Sequence, residues 1–316
     1  MNIAAKVKEK ALELGFDLVG VTSASVLGDR EQQAFEKWLQ SGFAGQMGYM
    51  HRNQDKRIDP RRLLDGAKSV IVVGLNYKLA EESTMNTGAD VPCGRVACYA
   101  RYEDYHNFFR RLLDQLARFI SAEVGGEVRC KVCVDSVPLA ERAFAARAGL
   151  GFIGRNHMLI NPQLGPEILL GELITDVELE TDAPGEGTCA GCDKCIKACP
   201  TGALGADGQF DARLCISYLT IEYGGQIADD LAAKIGGRLF GCDECVLACP
   251  HQHKAPVCRN GSFKCYRGRR NLPLGTILGM DEEEFAAALG GSPLAYTGLD
   301  TLKRNARICL GNLRRV

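Results

Sequence analysis

The run Cys189-x2-Cys192-x2-Cys195-x3-Cys199-Pro200 restricts this chain more than any other feature. It has the bacterial ferredoxin spacing, in which three thiolates hold one [4Fe–4S] cluster and the fourth reaches across to a second. A further copy, Cys242-x2-Cys245-x3-Cys249-Pro250, has Leu239 where a cysteine three residues before Cys242 would complete it. The missing ligand must come from elsewhere, and Cys215 is the natural candidate. The expected sets are therefore Cys189, Cys192, Cys195 and Cys249 on one cluster, and Cys199, Cys215, Cys242 and Cys245 on the other. Structural zinc also uses Cys-x2-Cys pairs, but it seldom needs a third cysteine after two more residues and then Cys-Pro. Two adjacent clusters form a wire for single electrons.

The chain has 15 cysteines among 316 residues. Such a content in a reducing compartment points to metal ligation or redox chemistry rather than to disulfides. No apolar run approaches the roughly 18 residues needed to cross a bilayer, and the N-terminal MNIAAKVKEKALELGFD lacks a signal-peptide core. A soluble, cytoplasmic chain with no membrane contact, acting as a monomer, is expected. The net charge is −1, yet residues 254–316 carry eleven Lys/Arg against five Asp/Glu. That asymmetry suggests either a polyanionic partner for the C-terminal part or an ordinary solvated surface.

Three segments are expected: an α/β domain over 1–180, a ferredoxin-like double-cluster domain over 181–256, and a basic, partly helical C-terminal segment over 257–316. Leu18–Thr22, Ser69–Tyr77 and Glu127–Val134 read as strands, the last with Val128, Cys130, Val132 and Val134 on one face. Phe108, Leu112, Leu116, Phe119 and Ile120 recur at helical spacing, so Tyr105–Glu123 reads as a helix packed on the sheet. The polar stretch 181–188, TDAPGEGT, marks the boundary. Helical patterning resumes in Asp281–Leu289 and Thr301–Leu310.

Clusters carry electrons but do little bond chemistry, so the first half is expected to hold a second cofactor or a substrate. Gly149-x-Gly151-x-x-Gly154 matches a dinucleotide fingerprint, but a helix, Pro138–Ala148, runs into it where a strand is required. A C-cap and tight turn are expected there instead. Asp135 follows a strand and precedes a helix. It is either that helix's cap or a general acid, the second role requiring a pKa raised roughly 3 units above about 3.9. The five histidines make no metal pattern and read mostly as surface or packing residues. Asp104-Tyr105-His106 begins like the D-x-H-x-x-G loop of some corrinoid proteins, but Phe109 replaces the glycine.

Taken together and in order, several motifs resemble the epoxyqueuosine reductase family almost from end to end. They are GFDLVGV, GQMGYM, DKRIDPRRLL, AKSVIVVGLNY, YEDYH, VDSVPLAERAFAARAGLGFIGRN, LLGEL, both cysteine runs with CISYLTIE between them, GSPLAY and RNARICLGN. The resemblance implies a base-off cobalamin between the N-terminal domain and the clusters, with no protein histidine on cobalt. It implies reduction of epoxyqueuosine to queuosine at the tRNA wobble position with electrons from an unidentified cytosolic donor. By position Asp135 would donate the proton, and Arg57, Cys98, His157, Met158 and Ser217 would line the corrinoid. Arg267, Arg269, Arg270, Lys303, Arg304 and Arg307 are candidates for the tRNA phosphates. The chain departs from the family's frequent pattern at His251-Gln252, and it has no basic residue between Ser292 and Lys303. A cobalamin-dependent reductase of another substrate and a noncatalytic electron-transfer subunit are the alternatives.

Overall fold

The computed structural model describes residues 2–80 and 91–314. The strand Ser69–Asn76 is buried at every position, and its alternate side chains serve two different cores. Ile71, Val73 and Leu75 face one, while Val70 and Val72 face the other. Both faces are covered, which is why this stretch is continuously apolar rather than alternating. It lies inside a four-stranded sheet in the order Leu18–Ser23, Ser69–Asn76, Ile168–Thr175, Cys130–Cys133, antiparallel at each pairing.

Helices Ile3–Glu13 and Tyr105–Val124 cover one face through Val7, Ala11, Phe108, Phe109, Leu112, Leu113, Leu116 and Ile120. Glu141–Arg147 covers the other through Phe144 and Ala145. The Tyr105–Val124 helix is capped by Asp104, whose side chain accepts from the His106 amide, and it ends at Gly125 with φ 70°. It lies flush on the sheet because Gly171 offers no side chain: a Cβ there would be 2.6 Å from Phe109 Cδ1. Gly171→Val is therefore expected to lose about 1–3 kcal/mol to overpacking, read as a lowered Tm at unchanged iron content.

Two expected elements differ in extent. The strand anticipated over Glu127–Val134 pairs only at Cys130–Cys133. The helix anticipated from Pro138 begins at Glu141, because the Ala140 amide is tied to the Arg57 carbonyl at 2.9 Å instead of entering a helical ladder. Its end is as expected, with Gly149 at φ 86°. A short hairpin, Phe152–Ile153 with Leu159–Ile160, follows, so the glycine run serves a turn and not a nucleotide.

A second sheet, ordered Arg238–Phe240, Cys93–Val96, Asn271–Pro273, draws one strand from each sequence segment. The helix Leu299–Leu313 packs Leu302, Ala306 and Cys309 against Leu239, Phe240 and Leu274. Asn305, fully buried, donates to the carbonyls of Thr220 at 2.8 Å and Leu239 at 3.0 Å. The tail is thus locked onto the cysteine-bearing segment. Among the described residues no helix is long and apolar enough to cross a membrane.

Candidate iron–sulfur and proton-transfer site

Cys189, Cys192, Cys195 and Cys249 line one cavity of about 230 Å³, with Arg155, Asn156 and His251 at its walls. A single water-sized occupant needs only about 10–15 Å³, so this space suits a group of several atoms. Cys199, Cys215, Cys242 and Cys245 form a second neighbourhood. Cys245 feels the charges of Cys215, Cys242, Cys195 and Cys199, Cys215 feels Cys199, and Cys242 feels Cys215. Among the described residues no three His, Cys, Asp or Glu side chains are spaced to hold a single metal ion. The sulfurs are supplied with donors that tune a bound cluster. The Arg155 amide lies 3.4 Å from Cys189 Sγ. Burial would raise the Cys199 thiol, but the Leu204 amide, the Thr201 hydroxyl and the Thr201 and Ala203 amides hold it below its usual value.

Asp135 sits just past the strand Cys130–Cys133, in the left-handed region at φ 52°, a conformation that costs a non-glycine residue about 1–3 kcal/mol. It caps no helix. Its amide donates to Glu141 Oε1 at 2.5 Å. Its carboxylate, 61% exposed, accepts from the Tyr105 hydroxyl at 2.9 Å and meets His106 Nε2 at 3.3 Å, both at Oδ2. His106 Nδ1 is 2.7 Å from Asp104 Oδ1, and the Tyr105 and His106 rings stack at 4.1 Å. An unbroken line of contacts thus runs Asp104, His106, Asp135. The neighbourhood of Asp135, called its recess below, is assembled from distant parts of the chain. Its charge is felt by Tyr49, Arg57, Tyr99, Glu222 and Tyr296.

These contacts decide the charge states. Partial loss of water to the surrounding protein atoms would raise the Asp135 carboxyl, but the hydrogen bonds from His106 and Tyr105 outweigh it and hold it below the ordinary value. Burial would lower His106, but its bonds to Asp104 and Asp135 lift it to about 9. A proton-loaded Asp135 was one expectation; in this arrangement the proton rests on His106. A second pair lies behind: burial and the Asp135 charge push Glu141 up to about 7. Burial and the Glu141 charge push the fully buried Glu172 well above the carboxylate range.

The remaining candidates divide. Arg57 donates from Nη2 to the Tyr49 carbonyl at 3.1 Å, and its Nε is buried without a partner. His157, at φ 58°, accepts from Arg142 through its carbonyl; burial, then the Arg142 charge, lowers its ring below the usual histidine value, and its Nε2 is buried without a partner. Met158 follows in the same hairpin loop, its amide 3.2 Å from Asn156 Oδ1. Ser217 lies against the other quartet, its amide and hydroxyl directed at the Cys215 thiol. Cys98 lies in the main core, its thiol directed at the Tyr77 carbonyl 3.6 Å away. Gln252, at one departure from the family pattern, is buried, donates to Glu167, and accepts from Lys78 Nζ through its carbonyl at 2.7 Å. Tyr105, His106, Glu141, Glu222 and Tyr296 were not expected. The YEDYH motif pointed at the first two, but nothing local in the sequence aims their side chains at Asp135.

Fold and site together define a double-cluster iron–sulfur redox protein, and residues 188–252 match the family model described as 4Fe-4S double cluster binding domain. Residues 57–136 match the model described as Epoxyqueuosine reductase QueG, DUF1730. The chain is 35% identical over 311 residues to the epoxyqueuosine reductase of Vibrio cholerae, covering 98% of this chain and 84% of that one. To that of Xanthomonas campestris it is 39% identical over 315 residues, covering 98% and 87%. A crystal structure of epoxyqueuosine reductase with a tRNA-Tyr epoxyqueuosine-modified stem loop superposes with a TM-score of 0.92 at 31% identity, over 99% of this chain and 83% of that chain. The chain belongs to the epoxyqueuosine reductase family.

Proposed function

We propose that this chain reduces epoxyqueuosine to queuosine at the wobble position of tRNA in the cytoplasm, using two [4Fe–4S] clusters and a base-off cobalamin. The observation that carries the reading is the position of Asp135, a carboxylate from the N-terminal half whose charge is felt by Glu222, seven residues after Cys215, and by Tyr296 of the tail. Cys189, Cys192, Cys195 and Cys249 would hold one cluster, and Cys199, Cys215, Cys242 and Cys245 the other. The residues fit a corrin as well, since the partnerless buried Arg57 Nε and His157 Nε2 call for polar groups, and a corrin's rim carries amides. Cobalamin, when bound, supplies a cobalt centre that collects single electrons and delivers them in pairs. The protein's own residues hold the rim, keep a proton beside the recess, and admit the base. A base in an unpaired anticodon loop leaves its stack for a few kcal/mol.

Two candidate phosphate contacts are engaged elsewhere. Arg304 clamps the carbonyls of Leu219 and Gly225 at 2.6 and 2.8 Å, and Arg269 lies over the Tyr266 ring at 3.9 Å. Arg307 is exposed and Lys303 half-buried. Replacing both by Ala is expected to weaken tRNA-stem-loop binding and reduce the slope of log K against log[salt] by about 1 to 2, measured by titration at several salt concentrations. An unchanged slope would place the tRNA on another face.

Anaerobic reconstitution with iron, sulfide and cobalamin, followed by assay on tRNA from a strain lacking this activity, tests the whole reading. Cobalamin-dependent conversion of epoxyqueuosine is expected. Iron uptake without cobalamin binding would leave only an electron carrier, and cobalamin binding without conversion would mean another substrate.

A further inference from the structure

Removing an epoxide oxygen as water consumes two electrons and two protons per molecule, yet the Asp135 carboxylate is held in its ionised form by its hydrogen bonds. Both hydrogen bonds to Asp135 land on Oδ2, and His106, which makes one of them, is anchored on its far side by Asp104. Asp104 is in turn fixed as the cap of the Tyr105–Val124 helix, accepting from the His106 amide at 2.9 Å. The three residues form one hydrogen-bonded line; the imidazole is 28% exposed and the Asp135 carboxylate 61%, so solvent reaches both ends of the His106–Asp135 contact.

We propose that His106, oriented by Asp104, is the proton reservoir that loads Asp135 for each turnover. The proposal rests on epoxyqueuosine reduction as the activity. The imidazolium passes its Nε2 proton to Asp135, and Asp135 passes a proton to the oxygen as a carbon–oxygen bond breaks. Neutral His106 keeps its Nδ1 proton on Asp104 Oδ1 and regains the other from solvent. A second proton by the same route releases the oxygen as water. The two electrons leave the carbons joined by a double bond, and the proposed clusters and cobalamin, fed by a one-electron reductant, supply them. His106 acts through Asp135 and is a positioning residue.

The groups facing this pair from the neighbouring elements are Asp104 and Tyr105 on the same helix, Glu141 and Arg142 beyond Asp135, and Tyr49, Arg57, Tyr99, Glu222 and Tyr296 around the recess. Burial and the Asp135 charge push Glu141 up to about 7, and burial raises Glu222 from the ordinary carboxylate value; Glu141 at about 7 is set apart from an alkaline limb. The elevated value of His106, about 9, puts the loss of the reservoir proton on that alkaline side.

The test has two arms on the cluster-loaded chain. The imidazole titrations of the five histidines, with His106 assigned by its disappearance in His106→Gln, are followed by NMR. In parallel, turnover is measured against pH for the wild type, His106→Gln and Asp104→Asn, with cluster absorbance and KM for tRNA as checks on the fold. His106 is expected to titrate near 9 in the wild type and at least one unit lower in Asp104→Asn. The alkaline limb of turnover should move down with it, while His106→Gln loses that limb and about tenfold or more in kcat at unchanged KM. If His106→Gln does not fold, Asp104→Asn carries the same readout. An active chain whose His106 titrates near 6.5, or whose Asp104→Asn profile stays put, overturns the relay alone. A chain with His106 near 9 that leaves epoxyqueuosine untouched overturns the activity and the relay together.

Discussion

Cys215→Ala is expected to lower bound iron from about eight to about four atoms per chain, the content of one [4Fe–4S] cluster, and to abolish reduction. Cys215 stands outside both Cys-x2-Cys runs, so nothing in its local sequence marks it as a ligand. In the folded chain it lies within electrostatic reach of Cys199, Cys242 and Cys245, with the amides of Tyr218 and Ser217 directed at its sulfur. Removing one thiolate of four leaves an iron open to solvent and loss. Cys130→Ala, on the edge strand Cys130–Cys133 and outside both quartets, should leave iron untouched. Iron and sulfide analysis with the visible absorbance of the anaerobic protein checks the pair. Full iron in Cys215→Ala would return the fourth ligand of that cluster to an unknown residue.

Asp135→Asn should keep both clusters and their absorbance while turnover falls about 10²-fold or more, the loss typical of a missing proton-transfer group. The amide is nearly the same shape and keeps the left-handed backbone, since Asn tolerates that region well. What disappears is the charge that binds His106 and the site that receives its proton. In the folded state His106 is raised above its unfolded value near 6.5, so its ion pair stabilises the protein below that pH and the contribution fades as pH rises through about 9. Asp135→Asn should therefore narrow the difference in Tm between pH 6 and pH 10. Wild-type turnover in this variant would show that Asp135 serves only the loop.

Some of this protein was legible before any coordinates. The Tyr105–Val124 helix and the Ser69–Asn76 strand follow from side-chain period, because burial on one stripe or on both faces leaves a direct mark in residue order. The helix beginning at Glu141 was read three residues too early, because a long-range bond from Ala140 to the Arg57 carbonyl decides where it starts. The contacts of His106 were not legible for a related reason. Its sequence neighbours show it on a helix's first turn, but its partner Asp135 lies 29 positions away. Arg304 and Arg269 looked like phosphate ligands because composition reports charge and not whether a carbonyl or a ring has already claimed it.

The sequence by itself determined the kind of chemistry: thiolate spacing is a local property, and the seven cysteines of the two runs point to iron–sulfur clusters whatever surrounds them. Only the tertiary structure decided where the protons sit. A pKa answers to distance in space, and the groups that set it for Asp135 are Tyr105 and His106 on the first helix turn after Asp104 and Arg142 beyond it, while Glu222 and Tyr296, distant in sequence, feel its charge in turn. Coulomb and hydrogen-bond energies fall off over a few ångströms, so a carboxylate's role cannot be read until the chain has brought its neighbours there.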